Sequence, residues 1–327
     1  MLRAFTFKDD HLVELKQLPD AAATDRALWI DLLSPTPEED EQVEQLLAIT
    51  IPSRAEMEEI ELSDRLYSQE GAEFMTLTAL AKLDTEEPTK TPLTFILKGP
   101  NVVTVRYEEL KPFQAYIGRA QRSKGAPCAT GELVMLAIIE ALIDRLADAL
   151  EKVGNEVDGL SRNTFQQRTS RADGQQRNLE AVIQAIGRKS ELLTMIQESL
   201  VGIARVSSYH RALDGTTAEA NEGRQLVKLI QRDSTWLGGH ASALSGRVTF
   251  LLDATLGLIN LQQNQIIKIV SVAAVVFLPP TLVASVYGMN FQFMPELAWY
   301  VGYPFALGLM LLSAVLPYLF FKNRGWL

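Results

Sequence analysis

From Ile269 to Pro295 the chain reads IVSVAAVVFLPPTLVASVYGMNFQFMP, 27 residues without an Asp, Glu, Lys or Arg. After the single acid Glu296, Leu297–Phe321 adds 25 more uncharged residues. A membrane-spanning helix needs about 20 mostly apolar residues, so each run is long enough to cross once. One buried soluble helix can imitate such a run, but two in tandem read as a pair of membrane spans.

The flanks orient them. Lys268 precedes the first span, Lys322 and Arg324 follow the second, and the connection from Gly288 to Leu297 carries no Lys or Arg. The positive-inside bias then puts both termini in the cytoplasm and the connection outside. Trp299, Tyr300 and Tyr303 fit an outer aromatic belt, and Trp326 an inner one. Met1–Asp10 has no apolar core of the kind a secretory signal needs.

The rest of the 327 residues is charged, and the net charge of −9 gives no basic footprint for nucleic acid. A single cysteine, Cys128, excludes a disulfide framework within one chain, and three scattered histidines give poor support to a zinc site. No nucleophile–base pair or phosphate-binding loop stands out, so an enzyme is the least supported class, and no cofactor is expected.

Residues 1–125 read as an α/β or α+β domain, cytosolic by the topology above. Its β signals are Leu2–Phe7, Leu12–Leu15, Ala27–Leu32, Glu73–Leu83, Pro92–Leu97 and Val102–Tyr107. The last two flank Gly99-Pro100 as a hairpin, and helices are expected at Pro37–Ala48 and Ser53–Ser63. Over 126–241, Leu133, Leu136, Ile139, Ile143, Leu146, Leu150 and Val153 recur at three- and four-residue steps and mark a long helix. Ala172-Asp173-Gly174 breaks it, a second helix follows to about Leu213, and Asp214-Gly215 turns into a third from near Ala218. Long antiparallel helices are the economical reading. Over 242–287 no proline interrupts the chain before Pro279, so one stalk helix should run straight into the first span. The outer loop is expected at 288–297, the second span at 298–321 and a basic tail at 322–327.

One line along the stalk decides the functional reading. Asp253, Gly257, Asn260, Asn264, Ile267, Ser271, Ala274, Leu278, Thr281 and Ser285 follow alternating steps of four and three, a heptad seam. Its members are mostly small, polar or acidic. A dry stripe of small residues between membrane helices has this pattern too. The Asp, Asn, Ser and Thr content favours a water-lined path, because polar groups at membrane depth must pair or face water. Two spans cannot enclose a pore, so several copies would surround an axis and each seam residue becomes a ring. Asp253 then gives a carboxylate ring, Asn264 an amide ring, and Ile267, Val270 and Leu278 apolar constrictions able to gate by dewetting. Pro279-Pro280 would free the carbonyls of Val275 and Val276.

Tyr287-Gly288-Met289-Asn290 closes the first span, followed by Met294-Pro295-Glu296-Leu297. With Phe277-Leu278-Pro279-Pro280-Thr281-Leu282, Gly302-Tyr303-Pro304 and the ending Phe321-Lys322 to Trp326-Leu327, this resembles the proteobacterial magnesium branch of the CorA family of divalent-cation channels. The resemblance is dense over residues 247–327. It implies a homopentamer in the inner membrane with a funnel-shaped cytosolic part. Gly288, Met289 and Asn290 would form the outer selectivity ring. Asn264, Thr281 and Asp253 would be polar pore rings, and Ile267, Val270 and Leu278 the gate. Where some members have Met at two gate positions, this chain has Ile267 and Leu278.

The ring suits the ion. Mg2+ dehydrates reluctantly and usually keeps several waters, so Asn290 amides and the Gly288 and Met289 carbonyls would hold it through water. Gly288 is expected to permit a sharp departure from the helix. Regulation by cytosolic Mg2+ would fall to acids such as Glu38, Glu39, Asp40, Glu41 and Glu44, or Glu56, Glu58, Glu59, Glu61 and Asp64, unless these are only solvated helix faces; Asp233 on the stalk is a further candidate. The alternatives are a zinc transporter of the ZntB type, with or without proton coupling, and a non-transporting membrane scaffold or sensor. Preference among Mg2+, Co2+, Ni2+ and Zn2+ is left open by the residues.

Overall fold

A computed structural model describes residues 1–18, 27–122, 127–166, 179–210, 217–290 and 294–324. The chain divides into two compact units, Met1–Leu251 and Leu252–Leu327.

The first unit is built on a seven-stranded mixed sheet. Its strands are β1 (Leu2–Lys8), β2 (His11–Leu15), β3 (Trp29–Leu33), β4 (Leu66–Gln69), β5 (Ala72–Ala81), β6 (Thr89–Lys98) and β7 (Asn101–Arg106), in the order β2-β1-β3-β7-β6-β5-β4. Only β3 and β7 are parallel; the other neighbours are antiparallel. Asp9 and Asp10, at φ 53° and 62°, make the two-residue turn of the first hairpin, where both central residues need positive φ. The expected Gly99-Pro100 hairpin joins β6 to β7 with Lys98 opposite Asn101.

Side-chain alternation along the strands loads both faces. On one, Ile30, Leu32, Phe74, Ile96, Val103 and Val105 pack with Val43 of α1 (Pro37–Leu47) and Met57 of α2 (Arg54–Glu58). On the other, Trp29 stacks on Phe5 at 4.7 Å and lies 6.1 Å from Phe113 of α4 (Lys111–Arg122), an element the sequence reading did not contain. The expected helix Ser53–Ser63 is instead two pieces, α2 and α3 (Leu62–Arg65). Glu59 adopts an extended conformation between them. Ser53 caps α2 in a box with Glu56, and burial of Met57 is complete within its single long turn, so nothing propagates the helix further.

The sheet also buries charge. Arg106 donates to both oxygens of Asp31, at 3.0 and 2.8 Å, and both residues are fully enclosed. Thr104 donates to Asp31 at 2.8 Å while accepting from the Trp29 indole at 3.0 Å. Phe113 lies 4.5 Å beneath the guanidinium. Such a pair is tolerable in a dry interior only when its remaining hydrogen-bonding capacity is met, which these partners do.

Two long helices follow: α5 (Gly131–Gln166) and α6 (Leu179–Tyr209). Residues Leu133 to Ile139 are buried without interruption, as expected of a helix covered on all sides. Gly131 is obligatory, because a Cβ there would lie 2.7 Å from the backbone of Pro100 and Asn101 while its N–H bonds the Pro100 carbonyl at 2.9 Å. The expected breaks at Ala172-Asp173-Gly174 and Asp214-Gly215 lie outside the described residues.

Helix α7 then runs from Ala218 to Tyr287 as 70 continuous residues, about 105 Å at the α-helical rise. Gly238-Gly239 do not interrupt it, and the line drawn at 241/242 falls inside a helix. A short 3-10 turn at Pro295–Ala298 leads to α8 (Gly302–Asn323). The second apolar helix thus starts later than 298 because Pro295–Ala298 tightens first. Gly302 accommodates this turn, as a Cβ there would collide with the Glu296 carbonyl. Both α7 and α8 are long and apolar enough to cross a membrane.

Candidate functional site

The seam on α7 is uncovered. Asp253, Gly257, Asn260, Asn264, Ile267, Ser271, Ala274, Leu278, Thr281 and Ser285 are all exposed within one chain. Between Asn260 and Ser271 the helix is exposed all round; beyond it the two faces differ. Val272 is buried at 4%, and Val276, Val283 and Tyr287 are half-buried. Val276 and Val283 stand two positions before Leu278 and Ser285, hence roughly 160° around the helix from them. Val283 and Tyr287 share a small cavity with Met294, Glu296 and Leu309 of the following segment. One face of the span therefore packs against its own chain, and the seam lies on the other.

Individual positions carry detail. Ile267 and Leu278, at 61% and 65% exposure, sit on the line. Val270 does not: three residues after Ile267 it is turned roughly 60° further round, so it flanks the seam. Pro279 and Pro280 lie within unbroken helix. The Thr281 hydroxyl donates to the Phe277 carbonyl at 2.8 Å, leaving its oxygen lone pairs available as acceptors.

Gly288, Met289 and Asn290 end the helix, all three exposed. Gly288 N–H still donates to Ala284 at 2.9 Å and Met289 N–H to Val286 at 3.3 Å. The expectation for Gly288 needs correcting. Its φ is not positive, and the left-handed glycines among the described residues are Gly71 and Gly99. What Gly288 supplies is room, since a Cβ would stand 3.0 Å from the Ala284 carbonyl oxygen. Phe291–Phe293 and Trp326 lie outside the described residues.

Several acids of the N-terminal clusters have local partners. Glu39 closes the cap of α1 with Thr36 and meets the Met1 ammonium at 2.8 Å. Glu44 accepts from the Ile51 amide at 2.8 Å, Glu56 caps α2, and Glu58 pairs with Arg54 at 2.8 Å. Asp233 accepts from Arg232 Nε at 2.9 Å, and its charge also bears on two acids of α5. Glu140 and Asp144 on α5 both have carboxyl pKa values above the ordinary range. Burial is the main cause in each, Arg119 opposes it, and negative charge adds to it: Asp144 and Asp233 for Glu140, Asp148 and Asp233 for Asp144. The sequence reading missed these acids, although Glu140, Asp144 and Asp148 recur at four-residue spacing on one helix face. Among the described residues no three His, Cys, Asp or Glu side chains converge closely enough to hold a metal ion within one chain.

Comparison with known proteins adds the lineage. The family described as CorA-like Mg2+ transporter protein matches residues 24–323. The magnesium transport protein CorA of Pasteurella multocida is 34% identical over 328 residues, covering 100% of both chains. That of Pectobacterium atrosepticum is 36% identical over 329 residues with the same full coverage. The complete structure of the CorA magnesium transporter from Methanocaldococcus jannaschii superposes with a TM-score of 0.77 at 19% identity, covering 100% of this chain and 99% of that one, a likeness of fold. On a match across nearly its whole length, the chain belongs to the CorA-like Mg2+ transporter family.

Proposed function

We propose that this protein moves divalent cations, Mg2+ foremost, across the bacterial inner membrane through a pore formed by several copies of α7, five by analogy with the family. The observation that carries the reading is the polar seam. It lies uncovered, opposite the face that packs on its own chain, and leads to Gly288–Asn290. Facing a shared axis gives those side chains water; facing lipid would leave them unpaired at a cost.

In this reading both termini are cytoplasmic and the Gly288–Asn290 ring faces the periplasm. Asn290 amides and backbone carbonyls bind the ion through its waters, which makes entry favourable without trapping it. Asn264 and Thr281 offer further neutral oxygens, Ile267 and Leu278 form apolar constrictions flanked by Val270, and Asp253 is a carboxylate ring at the inner mouth. The membrane potential, about 2.3 kcal/mol per charge per 100 mV, drives a dication inward. Cytosolic Mg2+ acts as the brake by screening the repulsion that Asp233 exerts on Glu140 and Asp144, with a second copy or water completing its shell.

The test is ion-resolved flux into vesicles holding the purified protein, with and without a pH gradient. Mg2+ uptake that follows the membrane potential and ignores the pH gradient is expected. Uptake confined to Zn2+ and driven by the gradient would replace this reading with a ZntB-type transporter, and absence of flux with a scaffold.

A further inference from the structure

Past Met75, β5 has no strand on its outer edge among the described residues, because β4 pairs with Ala72–Met75. Helix α6 covers that edge closely: a Cβ at Gly202 would stand 3.5 Å from the Leu77 side chain and 3.6 Å from the Thr78 nitrogen. Between this covered edge and α2–α3 lies a cleft of about 690 Å3, well inside the first unit. Its volume is in the range that encloses a small organic ligand.

The lining has groups whose capacity is unspent. The Arg205 side chain lines the cleft and makes no ion pair or hydrogen bond among the described residues. Arg65 donates through Nε to the Glu59 carbonyl and only weakly, at 3.4 Å, from Nη1 to Thr78. Ile60, at 89% exposure, and Val201, at 48%, supply an apolar wall that the fold itself leaves uncovered.

We infer that this cleft binds a small organic phosphate of the size of a nucleoside mono- or diphosphate. Two guanidinium groups present the planar donor forks that match phosphate oxygens. The ring system lies on Ile60 and Val201. The site has a route to the long helix: Gln197, on the cleft wall, donates to Ser242 of α7 at 3.3 Å. A ligand touching Gln197 therefore acts on α7 directly.

The experiment is calorimetric titration of the full-length protein in detergent with ADP, inorganic phosphate and adenosine, with EDTA present so that free Mg2+ does not compete. Saturable ADP binding is expected, with phosphate and adenosine each weaker by roughly tenfold or more. Arg205→Glu should weaken ADP by roughly tenfold, while Lys8→Glu, the same charge change on β1, leaves it unchanged. Absence of saturable ADP binding, an equal loss in Lys8→Glu, or phosphate binding as tightly as ADP overturns the assignment. Because binding is read without transport, its failure leaves the channel reading untouched.

Discussion

His210 Nε2 lies 3.0 Å from Glu132 Oε1, tying the residue that follows α6 to the first turn of α5. Its Nδ1 reaches Glu73 of β5 at 3.1 Å. Burial pulls the imidazole pKa down, and the two carboxylates outweigh it, so the group sits above the ordinary histidine value. A histidine whose folded pKa is raised stabilises fully below its unfolded pKa of about 6.5 and loses that contribution as pH rises through the folded value. The melting temperature of the full-length protein should therefore decline from about pH 6.5 upward. His210→Asn should flatten that decline, and an unchanged slope would remove the clamp.

The Asp31–Arg106 pair makes a second prediction. Arg106→Met leaves Asp31 buried without its counter-charge and should destabilise the first unit by about 3–5 kcal/mol. The double change Asp31→Leu with Arg106→Met should recover most of that loss, because a buried pair contributes little net stability over apolar packing. Equal melting temperatures for the single and double variants would contradict this.

Asn290→Ala removes the amide ring and keeps the helix. Mg2+ uptake in vesicles should fall by roughly tenfold or more, a barrier change of at least ~1.4 kcal/mol, while size-exclusion elution stays the same. Retained uptake would put the selectivity role elsewhere.

Asn264→Leu separates a wet seam from a dry one. In a water-filled path the substitution adds an apolar ring and should lower flux severalfold without lowering stability. If the seam packs dry, flux is unaltered and the assembly becomes no less stable.

Chelating Mg2+ on the cytosolic side should raise conductance, and Asp233→Asn should weaken inhibition by cytosolic Mg2+ severalfold by removing one of the like charges facing Glu140 and Asp144. Inhibition curves that superimpose would exclude Asp233 from the brake.

Much of this molecule is legible in local pattern. Two uncharged runs of 27 and 25 residues mark α7 and α8 as candidate spans, because chain length and transfer energy act residue by residue. The six expected strands all exist, with ends shifted by up to three residues, since alternation registers on a half-covered face. β4 escaped notice because four residues, Leu66–Gln69, are too few to show a period. Helix α4 carries the amphipathic spacing Phe113, Tyr116, Ile117 and Ala120, a helical signal that the sequence reading passed over.

By itself the sequence determined the two-part character of the chain, the continuity of the stalk with the first span and the polar line along it, all properties of spacing along one segment. Only the tertiary structure decided which partners distant residues meet: Asp31 with Arg106, 75 positions apart, and Glu73 and Glu132 with His210. It also showed several acids of α1 and α2 engaged in caps and pairs. Periodicity encodes which face of an element is apolar, whereas the pairing of buried charges depends on how several elements close together, which no short stretch of sequence contains.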